Sequence, residues 1–303
     1  MDKQIFQENV NRENSQAVEP NAIKQDKSGL KIGVIGGGFV GGSVAHFFKV
    51  NNADVKVYDK YKPLDTLEEA LAQDFLFIAV PTPSTVASPG SAGAAVHYSG
   101  DKIDLSYMDD AMANAAKSKA KAVIIKSTVI PGTTDAYQKQ YPHLKILFNP
   151  EFLTERTAQT DFLYPDRQII GYTDQSFDIS GVILGLLPLA PFSKVITAAA
   201  AEMVKYFGNT WFSTKVVFAN QMYDLCEKLG IDYYEVADSA GADRRIGRSH
   251  LDVMHGGFRG YGGKCLPKDT RALIAFGKEH GVEMDLLQSV EKINGKLTGG
   301  IDR

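Results

Sequence analysis

KIGVIGGGFVGGSVAHFFKVNNADVKVYD, running from Lys31 to Asp59, is the stretch on which the fold turns. With Leu30 ahead of it, LKIGVI reads as a short buried strand, GGGFVG as a turn, Gly42 to Val50 as a helix and DVKVY (Asp54 to Tyr58) as a second strand. Gly36, Gly38 and Gly41 stand in GxGxxG register between strand and helix. Glycines there let the backbone approach a pyrophosphate seated on the helix N-terminus. Asp59 lies 18 residues after Gly41, at the end of the second strand, where a carboxylate can hold a ribose 2′-hydroxyl. An acid at that place favours NAD over NADP, whose 2′-phosphate it would repel. The NAD contacts expected from this stretch are Gly36, Gly38, Phe39, Val40, Gly41, Asp59 and Lys60. A tight turn that binds nothing needs the same glycines; the right flanking elements favour the ligand.

Downstream the alternation continues. A helix is expected over Thr66 to Gln73, a strand over Phe75 to Val80, a loose loop from Pro81 to Lys102 and a helix near Leu105 to Lys117. Strands follow at Ala122 to Lys126, Lys145 to Phe148 and Arg167 to Tyr172, with a helix after Pro131. This spacing argues for a parallel sheet covered on both faces. From Ala198 the texture changes: up to Leu229 the only Gly or Pro is Gly208, and apolar residues recur at helical spacing. One long helix closed by Gly230 is expected, then a helix opened by a capping box of Asp232 and Glu235. The remainder reads as helical apart from a loop from Ala240 to Gly263. The expected architecture is α/β, a doubly wound parallel (Rossmann) sheet followed by an all-helical domain built on the long helix. Its parts are a polar tail (1–28), an NAD-binding domain (29–198) and a helical central or dimerisation domain carrying the candidate cysteine (199–303).

The chain has 303 residues, enough for two domains, with 44% hydrophobic and 23% charged residues. A net charge of −3 gives no electrostatic reason to expect nucleic acid or an anionic membrane. The apolar run Val182 to Phe192 contains Pro188 and Pro191 and is too short to span a bilayer. The N-terminal residues have no apolar core of a secretory signal. Two cysteines, Cys226 and Cys265, make no disulfide framework, so a reducing cytoplasm is expected. The six histidines show no metal-ligand spacing, and no metal is expected.

Several polar constellations remain. VPTP (Val80 to Pro83) and KSTVIPG (Lys126 to Gly132) follow the C-terminal ends of the third and fourth strands, the edge where open α/β sheets bind ligands. Thr82 and Thr128 are expected to aim hydroxyls at that cleft, although loop threonines serve turn geometry as often. Asn149, Pro150 and Glu151 read as an N-cap, a first-turn proline and a first-turn acid, with Glu155 one turn on. Lys205 and Asn209 repeat the i,i+4 spacing on the long helix. So do Cys265 and Asp269 in GGFRGYGGKCLPKDTR (Gly256 to Arg271), where Pro267 suits the first turn of a helix. Placed at that N-terminus, the Cys265 thiol would feel the positive end of the helix dipole, which favours thiolate. Arg244 and Arg245 in DRRIG suit bidentate phosphate binding or a solvated loop. Cys226 is most simply core.

Taken in order, GGGFVG, VPTP, KSTVIPG, NPEFLTE, PDRQIIG, KYFGN, DRRIG and YGGKCLPKD resemble the UDP-glucose/GDP-mannose 6-dehydrogenase family over about Lys31 to Asn294. The resemblance implies NAD-dependent, four-electron oxidation of a nucleotide-sugar C6 alcohol to a carboxylate through a cysteine thiohemiacetal and thioester. By the resemblance Cys265 is the nucleophile, Asp269 and Thr128 hold and activate water, Lys205 and Asn209 stabilise oxyanions, and Glu151 assists proton transfer. Glu155, Phe152, Leu153, Arg245, Tyr261, Gly262 and Gly263 are the implied substrate contacts, with Arg245 reaching a neighbouring subunit. Val80, Pro81, Thr82, Ser127, Thr128 and Lys268 join the implied NAD contacts. A homodimer through the long helix is expected.

The sequence departs from the family pattern at Lys264, usually Ser, which would add positive charge beside the thiol, and at Arg156, often Gly. The segment from Asp59 to Phe75 is shorter, the loop before Cys265 longer, and the family's C-terminal nucleotide-binding domain is not found before Arg303. Closest in pattern is UDP-glucose 6-dehydrogenase. Two other readings use the same residues: a two-electron 3-hydroxyacid-type dehydrogenase, which leaves Cys265 without work, and a non-catalytic sugar-nucleotide-binding remnant.

Overall fold

The computed structural model describes residues 26–85 and 102–300. The expected tail falls outside them except at 26–28, as do His97 and most of the Pro81 to Lys102 loop. Among the described residues, strands β1 (Lys31–Ile35), β2 (Asp54–Tyr58), β3 (Phe75–Ile78), β4 (Ala122–Ile125), β5 (Ile146–Phe148), β6 (Arg167–Tyr172) and β7 (Phe192–Thr197) form one sheet in the order β2-β1-β3-β4-β5-β6-β7. Alternate side chains of each strand face opposite layers. Ile32, Val34, Phe75, Phe77 and Ile124 pack under helix α1 (Phe39–Val50) through Val44, Phe47 and Phe48. On the other face Leu76, Ile78, Val123, Ile125 and Ile146 meet Met108 and Met112 of a helix α3 (Ser106–Ala115). Each such Leu, Ile or Phe contributes about 1.5–3 kcal/mol by leaving water. The two-layer covering expected from the alternation is therefore present. Between these helices, the short α2 (Leu67–Leu71) is closed at its start by Thr66 and Glu69 in a reciprocal capping box.

One expectation fails. β1 to β5 are parallel, but β6 runs antiparallel to β5, pairing Leu147 with Tyr172 and Phe148 with Gly171, and β7 runs parallel to β6. The sheet is mixed, and β7 and its preceding helix, α6 (Phe177–Leu186), were not foreseen. Helix α4 (Thr133–Gln140) precedes β5, and a second unforeseen helix, α5 (Ala158–Leu163), precedes β6. The reversal brings the start of β6, at Arg167, to the edge where the parallel strands end.

The long helix, α7, spans Ala198–Leu229 and ends at Gly230 in the left-handed region, as its composition predicts. Its first turns lie on β6 at Gly171, where a β-carbon would come within 2.7 Å of the Ala201 Cβ and 2.9 Å of the Ala198 Cα. Only glycine permits that approach. Glu202, fully buried on α7, accepts hydrogen bonds from the N–H of Gly132 (2.6 Å) and from the N–H (2.8 Å) and hydroxyl (2.6 Å) of Thr134. It thereby satisfies N–H groups that the start of α4 would leave unpaired. Helix α8 (Tyr233–Gly241) is capped by Asp232, whose carboxylate accepts from Tyr234 N–H. Helices α9 (Leu266–Glu279) and α10 (Asp285–Thr298) complete the helical part, where Tyr206, Ala272, Leu273 and Leu287 form one cluster. Cys226 is buried with Ala219, Tyr233 and Leu251, the expected core position. Among the described residues, no helix is long and apolar enough to cross a membrane.

Candidate active site

The Gly-rich turn sits at the C-terminal end of β1. Gly36 has a φ of +103°, and a β-carbon there would lie 2.3 Å from the Ala79 carbonyl oxygen. α1 starts at Phe39, three residues earlier than expected, with Gly38 as an N-cap that makes no side-chain capping bond and has open space around it. The first N–H groups of α1 are thus open to an anionic group. Asp59 is held at the turn: Oδ2 accepts from Gly37 N–H (2.8 Å) and Oδ1 from Tyr61 N–H (2.9 Å). This arrangement fits a dinucleotide, which Gly38 and the first N–H groups of α1 would hold by its phosphates and Asp59 by a ribose. Lys60 is exposed and lies 3.8 Å from Asp110.

The loops that follow β3 and β4 meet, and one of the two expected hydroxyls needs correction. The Thr82 hydroxyl does not face the cleft; it donates to the Thr128 carbonyl (2.8 Å), and the Ser127 hydroxyl donates to the Val80 carbonyl (2.7 Å). These bonds tie the loops together and leave the half-buried Thr128 as the hydroxyl without such a tie.

A cavity of about 540 Å³ lies between this edge and α7. Its walls bring together Glu151, Phe152, Leu153, Glu155, Lys205, Asn209 and Cys265 among the expected residues, with Phe39 from the first turn of α1. Lys205 Nζ and Glu151 Oε1 form a buried ion pair at 2.7 Å, and Glu151 Oε2 accepts from Leu153 N–H at 2.8 Å. Asn209 Nδ2 donates to Asp269 Oδ2 at 2.5 Å, joining α7 to α9 behind the cysteine. Lys268 Nζ lies 2.7 Å from Asp269 Oδ1, an ion pair without hydrogen-bond alignment, since that oxygen lacks a hydrogen-bond partner.

Cys265 is the N-cap of α9 and is exposed at the cavity mouth. The expectation of a favoured thiolate is reversed. The surrounding protein desolvates the sulfur and Asp269 lies near it, so the thiol is pushed up from its ordinary value; Lys205 and Lys268 pull down and Glu151 adds a smaller upward push. The cationic neighbours that matter are Lys205 and Lys268; Lys264 is exposed and not among them.

The Glu151/Glu155 pair also needs correction. Residues 149–154 are not helical, and Glu155 begins a 3-10 turn (Glu155–Thr157). Asn149 does not cap a helix: its side chain donates to the Ile169 carbonyl (2.8 Å) and accepts from Lys126 Nζ (2.6 Å), pinning the strand beside β6. Arg245 lies on the exposed loop after α8, engaged by Asp243 at 2.6 Å and outside the cavity of its own chain. Tyr261 is buried against α10, its hydroxyl donating to Glu291 Oε2 (2.6 Å) and its N–H to Asn294 Oδ1 (2.7 Å), so it supports the loop and does not line the cavity. Gly262 and Gly263 are half-buried and exposed, with open space at Gly263.

Other wall residues escaped the sequence reading: Lys126, Phe162, Arg167, Phe212 and His250. Phe212 and His250 stack at 4.1 Å with a 2° interplanar angle, joining α7 to the loop before α9. Burial holds Lys126 down at about 7, with a neighbouring Glu151 opposing and Lys205 reinforcing the shift. Among the described residues, no group of His, Cys, Asp and Glu side chains is placed to hold a metal ion.

Comparison with known proteins bears on this geometry. Residues 62–181 match the NAD binding domain of the UDP-glucose/GDP-mannose dehydrogenase family and residues 199–296 its central domain. The chain is similar to UDP-glucose 6-dehydrogenase AglM of Haloferax volcanii, 35% identical over 255 residues, covering 78% of this chain and 55% of that protein. It is similar to the putative UDP-glucose 6-dehydrogenase YtcA of Bacillus subtilis, 30% identical, covering 89% of this chain and 68% of that protein. A solved UDP-glucose dehydrogenase from Pyrobaculum islandicum superposes with a TM-score of 0.73 at 31% identity, covering 89% of this chain and 69% of that one. The chain spans about half the length of the curated relatives it matches first, 55% and 49% for two of them.

Proposed function

This chain belongs to the UDP-glucose/GDP-mannose dehydrogenase family, and from that membership we propose that it oxidises the C6 alcohol of a nucleotide sugar, UDP-glucose first among them, to the carboxylate. The observation that carries the reading is the convergence of Cys265, Lys205, Asn209 and Glu151 on one cavity beside the Gly-rich turn. NAD, when bound, accepts hydride in each of the two oxidations. The Gly36–Gly41 turn, Asp59 and the loops after β3 and β4 would hold it.

The chain's own residues have separable roles. Lys205, ion-paired with Glu151, places a positive charge where the C6 oxygen becomes negative, and Asn209 offers a second donor group on the same face of α7. Glu151 is the nearby carboxylate that can relay the alcohol proton. In its thiolate form Cys265 bonds to the aldehyde carbon, giving a tetrahedral adduct that gives up hydride more readily than a bare or hydrated carbonyl. Loss of that hydride leaves a thioester. Water held by Asp269 and Thr128 adds to the carbonyl, the carbon–sulfur bond breaks, and the sulfur leaves as thiolate. The acid product carries off one water oxygen.

Phe207, Trp211, Phe218, Leu225 and Leu229 form an exposed apolar stripe along α7, which supports a homodimer through this helix. In such a dimer Arg245 would serve the partner's cavity. The test of function is incubation with NAD and a panel of UDP- and GDP-sugars, followed by the absorbance of reduced nicotinamide. Reduction with one nucleotide sugar supports the proposal; no reduction with any of them, at saturating NAD, defeats it. In Cys265→Ser the second oxidation should fall by orders of magnitude; uronate formed at the parental rate would exclude the thioester route.

A further inference from the structure

We propose that Arg167 is the anion-binding residue of this cavity and takes the diphosphate of the nucleotide sugar, an inference that rests on the function proposed above. Its position follows from the reversed strand. Because β6 is antiparallel to β5, with Phe148 opposite Gly171, residues preceding Gly171 run back along those following Phe148. Arg167, the first residue of β6, therefore comes level with Phe152 at the ligand-binding edge. Its guanidinium carbon lies 3.8 Å from the Phe152 ring centroid. One Nη lies beside Gly208 of α7, 3.8 Å from where a β-carbon would stand.

Arg167 is half-buried, and the two buried cations of this wall are occupied. Lys205 is paired with Glu151, and Lys126 donates to Asn149. Arg167 forms no ion pair among the described residues, and its buried Nε has no hydrogen-bond partner. Burial of part of the guanidinium opposes its charge, and only the neighbouring Asp166 offsets this, without an ion pair; a ligand anion removes the remaining cost. Stacking on Phe152 takes one face of the guanidinium and leaves its N–H edge for bidentate bonds, the geometry that phosphate oxygens match. The reacting carbon belongs at Cys265, Lys205 and Asn209; Gly208 lies on the flank of that face, so Arg167 meets the charged part of the substrate away from C6.

The test uses UDP and NAD as separate probes on the full chain. Arg167→Met should weaken UDP binding and raise KM for the nucleotide sugar by about 10- to 100-fold, with kcat changed far less and NAD affinity unaltered. Arg167→Lys, which keeps the charge but not the fork, should fall between. In the unmodified protein, UDP but not uridine should protect Arg167 from phenylglyoxal, read by peptide mass; this arm does not depend on the variants folding. Unchanged UDP affinity in Arg167→Met, loss of NAD binding in place of UDP binding, or labelling that ignores UDP would each overturn the proposal while leaving the functional reading standing. If the parental chain neither binds UDP nor oxidises any nucleotide sugar, the functional reading itself falls and this one with it.

Discussion

Cys265 and Asp269 stand one turn apart on α9, and their proximity has a cost for the sulfur. A carboxylate beside a thiol opposes its ionisation, and here it acts together with desolvation, so at neutral pH the resting state is thiol. Removing the charge should reverse this: in Asp269→Asn, iodoacetamide should modify Cys265 at a lower pH than in the parent. Buried Cys226 serves as an internal control. The measurement is the alkylation rate against pH by peptide mass, and an unmoved or upward-moved profile would contradict the electrostatic assignment. Lys205/Asn209 and Cys265/Asp269 were legible in the sequence because each pair lies on one helix, where four residues bring side chains to one face. Glu151/Glu155 was misread because the same spacing in a non-helical segment has no such consequence. Arg167 and Lys126 could not be found by spacing at all, since their neighbours come from distant parts of the chain.

At the level of elements, the bond between α7 and α4 is made by one buried acid. Burial raises Glu202 to about 7, against the hydrogen bonds from Thr134 and Gly132 that favour its charge. A carboxyl whose folded value exceeds its unfolded value near 4.5 loses stability as pH rises between the two, by about 3 kcal/mol in the limit. Glu202→Gln removes this dependence and turns an amide donor toward N–H groups. The variant should therefore be about 1–3 kcal/mol less stable than the parent near pH 5. That deficit should shrink toward pH 8 in denaturant titrations; a constant deficit would mean that Glu202 ionises normally. Sequence periodicity found β1 to β6 and all of α7, because each is bounded by glycine or by a change of period. It missed the reversal at β6, since strand composition carries no direction and the long connection from Asn149 to Asp166 permits either sense. β7 escaped because its Phe192, Ser193 and Lys194 are exposed and show no buried pattern.

For the whole molecule, the exposed stripe on α7 predicts association. Phe218→Glu with Leu225→Glu, two or more turns beyond Asn209, should convert a dimer to a monomer in sedimentation. The sole tryptophan, Trp211, lies on the same stripe and should shift its emission to longer wavelength. Identical sedimentation of parent and variant would remove the helix from any interface. The central claim, that one cavity carries out two successive oxidations joined by a bond to Cys265, is tested most directly by counting reduced cofactor against sugar consumed. Two NADH per nucleotide sugar, with uronate as product, is the predicted result; one NADH per sugar, with an aldehyde or ketone as product, would contradict it.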